Sequence, residues 1–191
     1  MIAAKNAVRE RNLNLPVGFG SVPHSAVALP EFWSDLARTG GPEFAAAVDF
    51  VGHNFYVDVF EDPVPPADVP GRVEGILTEL RRVHLPTAGV DASTPIRVTE
   101  NGWPTGRSPL TGAVRDQACQ AEVLEMIIRA VHGAGGDLNI THYTLFGLRD
   151  ADSAKADPFH QFRIMRDDYS AKPPYDTFRE LVAGLGSPTR I

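Results

Sequence analysis

The stretch Pro95-Ile96-Arg97-Val98-Thr99-Glu100-Asn101-Gly102-Trp103-Pro104 runs a short apolar strand directly into a carboxylate, an amide and a turn. Strand alternation predicts Ile96, Val98 and Glu100 on one face, and Gly102 with Pro104 ends the strand just past the acid. Glu100 thereby takes a C-terminal rim. In a parallel α/β barrel that rim is where catalytic groups stand, whereas a carboxylate lower in the strand would be buried without a partner. A carboxylate so placed is suited to act as a nucleophile. Its simpler role is that of a solvated glutamate at a strand end.

Two further segments carry polar and aromatic groups in strand-like settings. Upstream lies Val48-Asp49-Phe50-Val51-Gly52-His53-Asn54-Phe55-Tyr56, where a period of two puts Asn54 and Tyr56 on one face and His53 on the other. His53 is therefore expected to be packed or at a rim. Downstream, Asn139-Ile140-Thr141-His142-Tyr143-Thr144-Leu145-Phe146-Gly147-Leu148-Arg149-Asp150 ends in a charged loop, Arg149-Asp150-Ala151-Asp152, whose members either contact a ligand or pair with each other. Phe162 to Pro173 then leads into the last helical stretch. In this order the segments resemble the sixth, seventh and eighth barrel strands, and the approach to the last helix, of clan A glycoside hydrolases. These are retaining enzymes built on an eight-stranded (β/α) barrel. Thr-Glu-Asn-Gly is moderately specific by itself, and the ordered flanking matches raise that specificity. The resemblance runs from about Leu15 to Leu185 and corresponds to the C-terminal half of a barrel, strands five to eight.

The resemblance implies hydrolysis of a β-linked glycoside by two carboxyl groups, one attacking the anomeric carbon and one protonating the departing oxygen. Glu100 matches the nucleophile. Tyr56 matches a tyrosine that hydrogen-bonds the nucleophile, and a phenol donating there favours the ionised carboxylate and fixes its direction. Asn54 is a candidate contact for a sugar hydroxyl, and Trp103 is either a stacking face or a core aromatic. The family usually carries a tryptophan platform on its last strand, where this sequence offers Tyr143 and Phe146. Arg149 and Asp150 complete the candidate substrate contacts. The family's general acid is a glutamate preceded by asparagine at the end of the fourth strand. No such pair precedes Leu15, and Glu31 and Glu43 follow the fifth strand. Such an acid commonly contributes ~10²- to 10⁴-fold, so transfer to Glu100 from an activated leaving group is what would persist without it. The alternative expectation is a catalytically incomplete carbohydrate-binding half-barrel, or a fragment of a longer glycosidase.

The elements that must position these groups follow from periodicity. Strand-like and helix-like stretches alternate, the pattern of βα units around a parallel sheet, so the expected fold class is α/β, a parallel (β/α) half-barrel in a single domain over residues 1–191. The first unit pairs Leu15–Ser21 with a helix opening near Pro30-Glu31 whose apolar face is Phe32, Trp33, Leu36 and Ala37. The second pairs Val48–Tyr56 with a helix through Val73, Ile76, Leu77, Leu80 and Val83, after a proline-rich loop from Asp62 to Pro70. The third pairs Ile96–Glu100 with a helix through Cys119, Val123, Met126, Ile127 and Ala130. The fourth pairs Leu138–Phe146 with Tyr175, Phe178, Leu181 and Val182. Met1 to Arg11 reads as the end of a preceding helix. A complete barrel needs eight strands and typically ~250 residues, so four units leave half the wall to a second copy of the chain or to an N-terminal half-barrel.

Composition narrows the function classes. Eighteen basic against twenty-four acidic residues give a net charge of −6 with no basic stripe, which argues against nucleic acid and anionic membrane and suits a neutral carbohydrate. No apolar stretch approaches the ~20 residues that span a bilayer, and Lys5, Arg9 and Glu10 stand where a signal peptide is apolar, so the location is left unknown, and cytoplasmic is expected only if the chain is complete. The single Cys119, set among apolar residues at helical spacing, is expected in the core. The six histidines show no metal-ligand spacing and no glycine-rich phosphate loop follows a strand, so neither metal nor cofactor is expected.

Overall fold

Stretches that alternate with a period of two become the strands of one parallel sheet, and stretches of helical period cover one of its faces, in a computed structural model that describes residues 1–22, 31–61, 63–108 and 111–186. In chain order the elements are α1 (Ile2–Glu10), β1 (Gly18–Gly20), α2 (Phe32–Ala46), β2 (Phe50–Asn54) and α3 (Val69–Glu79). A π-helical turn, Leu80–His84, continues α3 into α4 (Leu85–Thr87). Then come β3 (Ile96–Asn101), the two-residue strands β4 (Gly106–Arg107) and β5 (Val114–Arg115), α5 (Gln117–Gly133), α6 (Gly135–Leu138), β6 (Ile140–Leu145) and α7 (Pro173–Leu185). The four-stranded sheet has the order β1-β2-β3-β6, with β1, β2 and β3 parallel in sequence order, and β4 pairs antiparallel with β5. This is the α/β arrangement of consecutive βα units.

The chain divides into two compact units. One comprises Met1–Phe55, Glu74–Glu100 and Ala134–Thr144, and the other Tyr56–Val73, Asn101–Gly133 and Leu145–Ile191. The first contains the body of the sheet. Its core joins Val51 and Ile96 to Trp33, Phe44, Leu80, Leu85, Ala88 and Val90, so this sheet face is the one the helices cover. Phe19 reaches the same core, with its ring against Trp33 and Phe44. In the second unit α5 packs on α7, and each of its three segments begins where a sheet strand gives out along the chain.

Several boundaries differ from the sequence expectation for physical reasons. The first strand is only Gly18–Gly20, and Leu13 and Leu15 lie exposed before it. Pro30 and Asp62 fall outside the described residues, so the opening of α2 is described only from Phe32 on. Gly41, at φ 57° and ψ −163°, breaks α2 just before Pro42, which lets both Trp33 and Phe44 reach the core. Val83 was expected on the inner face of the second helix but is 53% exposed. The π turn inserts an extra residue per turn and rotates the inner face onto Leu85 and Ala88. Cys119 is half-buried on α5, and burial, with the nearby charges of Asp116 and Glu122, raises its thiol pKa.

Candidate active site

Glu100 stands on the open sheet face for a reason that simple alternation misses. Ile96 and Val98 are fully buried and share the helix-covered face with Val51 and His53, so continued alternation would carry Glu100 inward with them. Instead the pairing of β2 with β3 slips. His53 pairs with Val98, but Asn54 pairs with Glu100, which leaves Thr99 as an extra residue. Such a bulge puts consecutive side chains on one side and re-aims those that follow. Thr99 is exposed, and its hydroxyl donates to Asn54 Oδ1 at 2.8 Å. Register partners share a face, so Glu100 emerges half-buried beside Asn54, while Asn101 turns into full burial. The expected grouping of Glu100 with Ile96 and Val98 is thus corrected, although its place near the strand's C-terminal end is kept. The Glu100 carbonyl accepts from the Phe55 amide at 3.1 Å, which ties the end of β2 to the bulge.

Other groups of this unit line the same sheet. His53 is packed, 3% exposed, with Nδ1 2.6 Å from Ser21 Oγ and its ring stacked on Phe55. Tyr143 is half-buried within β6, where desolvation raises its phenol pKa well above the ordinary value. His142 lies largely exposed beside it, and partial loss of solvent, followed by the nearby Arg97 charge, lowers its pKa.

Within the second unit the structure groups the remaining candidates differently from expectation. The period-two reading of the upstream segment ends at Phe55, because Tyr56 lies beyond β2. Tyr56 is 7% exposed in an aromatic cluster, with edge-to-face contacts to Phe60, Phe146 and Phe162. Phe146 is half-buried there with its amide donating to the Asn101 carbonyl at 2.7 Å, and Arg163 lies over its ring.

Trp103 belongs to the core rather than to a stacking surface. It is 5% exposed, its indole N–H donates to Asp58 Oδ1 at 2.8 Å, and the Arg115 guanidinium lies over its ring at 4.8 Å. Arg115 is itself buried, 3.3 Å from Asp58 Oδ1. The ring is therefore covered, and further chain would only bury it more.

Asp150 is likewise withdrawn from solvent. At 0% exposure it accepts from Lys172 Nζ at 2.8 Å, the Arg163 amide at 3.0 Å and Ser153 Oγ at 3.1 Å, so its oxygens are committed to the protein. Arg149 pairs with neither Asp150 nor Asp152. It lies exposed over the Tyr169 ring and donates to the Asp167 carbonyl at 2.9 Å, while Asp152 faces Lys155. The sequence reading also missed Thr99, Asp58 and Arg115. The only signal for Asp58 was a charge inside the otherwise apolar stretch Tyr56-Val57-Asp58-Val59-Phe60, and Arg115 carried none.

The glycoside hydrolase family 17 β-1,3-glucanosyltransferase of Rhizomucor miehei superposes with a TM-score of 0.55 at 16% identity, covering 91% of this chain and 53% of that one. An active-site mutant of a β-1,3-glucanosyltransferase from the same organism, in complex with laminaritriose, gives 0.56, also at 16% identity, over 90% of this chain and 53% of that one. The β-D-glucuronidase of Dictyoglomus thermophilum gives 0.53 at 14% identity, over 72% of this chain and 23% of that one. No family model and no curated protein sequence matches the chain. What is shared at these identities is the fold alone, that of part of a parallel (β/α) barrel. The chain spans about half of the glucanosyltransferase and about a quarter of the glucuronidase.

Proposed function

We propose that this chain carries the nucleophile side of a clan A type retaining glycoside hydrolase, in the C-terminal half of its barrel, and that it acts on a β-linked glycoside through Glu100. The observation that carries the reading is the bulge at Thr99, which delivers a half-buried carboxylate to the open sheet face against the strand's own alternation. Bulges that re-aim one side chain recur next to active sites. In this reading Glu100 attacks the anomeric carbon and its leaving group departs with the proton of a general acid, the step that splits hydrolysis into two displacements. Asn54 accepts the Thr99 hydroxyl through Oδ1, so its Nδ2 is the donor for a sugar hydroxyl. Tyr143, on the same sheet, is the proposed sugar platform. Trp103 and Asp150 are set aside, because both are buried and engaged by protein groups.

The test is covalent labelling with a fluoroglycoside inactivator bearing a good leaving group, which needs no general acid. The adduct should map to the peptide containing Glu100, Asn101 and Gly102, and Glu100→Gln should abolish it. Labelling that persists unchanged in Glu100→Gln removes the nucleophile assignment. Sugar binding without any adduct would favour a carbohydrate-binding segment that does not turn over.

A further inference from the structure

The bulge that turns Glu100 outward carries its own fastening. A bulge leaves one residue unpaired and the ladder locally broken, so the new register has to be held by something other than the ladder. Here the unpaired residue is Thr99, and its hydroxyl reaches across to β2 and donates to Asn54 Oδ1 at 2.8 Å. Asn54 is the register partner of Glu100, so this bond clamps β2 to β3 at the point where the pairing slips. One residue further along β2, the Phe55 amide donates to the Glu100 carbonyl at 3.1 Å and closes the bulge from its other side. Gly52 gives the threonine its seat. A Cβ on Gly52 would stand 3.0 Å from both Thr99 Cγ2 and Thr99 Oγ1, so both branches of the side chain lie over bare glycine backbone. A β-branched side chain is stiff about χ1, and with its methyl and hydroxyl both seated there the hydroxyl is held toward Asn54.

An asparagine amide has an acceptor at one end and two donors at the other. Among the described residues the Thr99 hydroxyl is the hydrogen-bond partner of the Asn54 side chain, and with Oδ1 so engaged the amide cannot turn over without losing that bond. Nδ2 is therefore the end left for a ligand. Thr99 is itself exposed, which leaves the hydrogen bond rather than core packing as its contribution. We infer that Thr99 is a positioning residue for the candidate site: its hydroxyl fixes Asn54 as a donor and holds the bulge that aims Glu100. The part concerning Glu100 rests on the nucleophile reading above, whereas the part concerning Asn54 stands on the bond alone, so each is measured by itself.

Thr99→Val keeps the shape and strand preference of the side chain and removes the hydroxyl, while Thr99→Ser keeps the hydroxyl. The first readout is the NMR order parameter of the Asn54 side-chain amide in the full chain, its signal assigned by loss in Asn54→Asp. It should lie near the rigid value of ~0.85 in wild type and Thr99→Ser, and fall below ~0.6 in Thr99→Val. The second is the limiting rate at which a saturating fluoroglycoside labels Glu100, with urea unfolding confirming that each variant is folded. That rate should stay within ~2-fold of wild type in Thr99→Ser and drop at least ~10-fold in Thr99→Val, the scale on which a small misplacement of a reacting group acts. A role confined to stability would shift the urea midpoint and leave both readouts where they were, which overturns the inference. So does an Asn54 amide that is as mobile in Thr99→Ser as in Thr99→Val, or labelling as fast in Thr99→Val as in wild type. If wild type takes no label on Glu100, the nucleophile reading fails and the mobility of Asn54 alone decides the role of Thr99.

Discussion

The buried pair of Lys172 and Asp150 separates a structural from a substrate-binding role for the loop after β6. Both side chains are essentially sealed, at 1% and 0% exposure, and sit 2.8 Å apart. Lys172 also donates to the Arg163 carbonyl at 2.8 Å and to the Gln161 carbonyl at 3.4 Å. Asp150 also accepts the Arg163 amide and Ser153 hydroxyl, so every strong partner of the pair is internal. Burial lowers the Lys172 pKa and the Asp150 hydrogen bond opposes that shift, as expected for a charge kept in the interior by its partner. Lys172→Met leaves a carboxylate with two neutral donors and no cation, and breaking a buried pair this way costs about 3–5 kcal/mol. Asp150→Asn retains an acceptor for Lys172 and should cost less, on the order of 1–3 kcal/mol.

Urea unfolding of the two single variants and of the double variant Asp150→Leu/Lys172→Met reads these terms as a cycle. The double variant should recover much of the Lys172→Met loss, because apolar residues of similar volume often replace a buried ion pair at little cost. Sugar affinity per folded molecule should stay at the wild-type value in Asp150→Asn. The reasoning is refuted if Lys172→Met costs less than about 1 kcal/mol. It is equally refuted if Asp150→Asn leaves stability intact while weakening sugar binding, because Asp150 would then face the ligand after all.

Trp103→Phe deletes the indole donor to Asp58 while Arg115 still holds that carboxylate, so it should cost about 1–2 kcal/mol in urea unfolding and leave sugar affinity unaltered. Asp49 gives one acid response. Its burial opposes ionisation, but hydrogen bonds from Lys5 and the Val17 amide, with the charges of Lys5 and Arg9, outweigh that and keep its pKa below the ordinary value. A depressed carboxylate pKa stabilises the fold fully above the unfolded value and loses that contribution as pH falls through the folded one. Stability should therefore drop as the pH is lowered below about 4, and Lys5→Met should flatten that drop, which acid titration of the unfolding midpoint measures.

The βα order, the packed His53 and the C-terminal position of Glu100 were legible because each depends on local pattern: periodicity for the elements, alternation for His53, and a glycine and proline for the strand end. What was not legible depends on non-local register. Nothing in Val98-Thr99-Glu100 announces that β2 pairs with it one residue out of step, yet that slip decides which face Glu100 takes. The π turn that exposes Val83 is equally silent, because the apolar spacing of Leu77, Leu80 and Val83 fits an uninterrupted helix. The roles of Asp150 and Trp103, each left between two alternatives by the sequence, were not decidable there for a different reason. An acid after a strand and a tryptophan after a carboxylate have the types a sugar site needs, but Lys172 lies 22 positions from Asp150 and Arg115 lies 57 from Asp58. Side-chain type states what a residue is able to do, while the partner that occupies it is fixed by the fold.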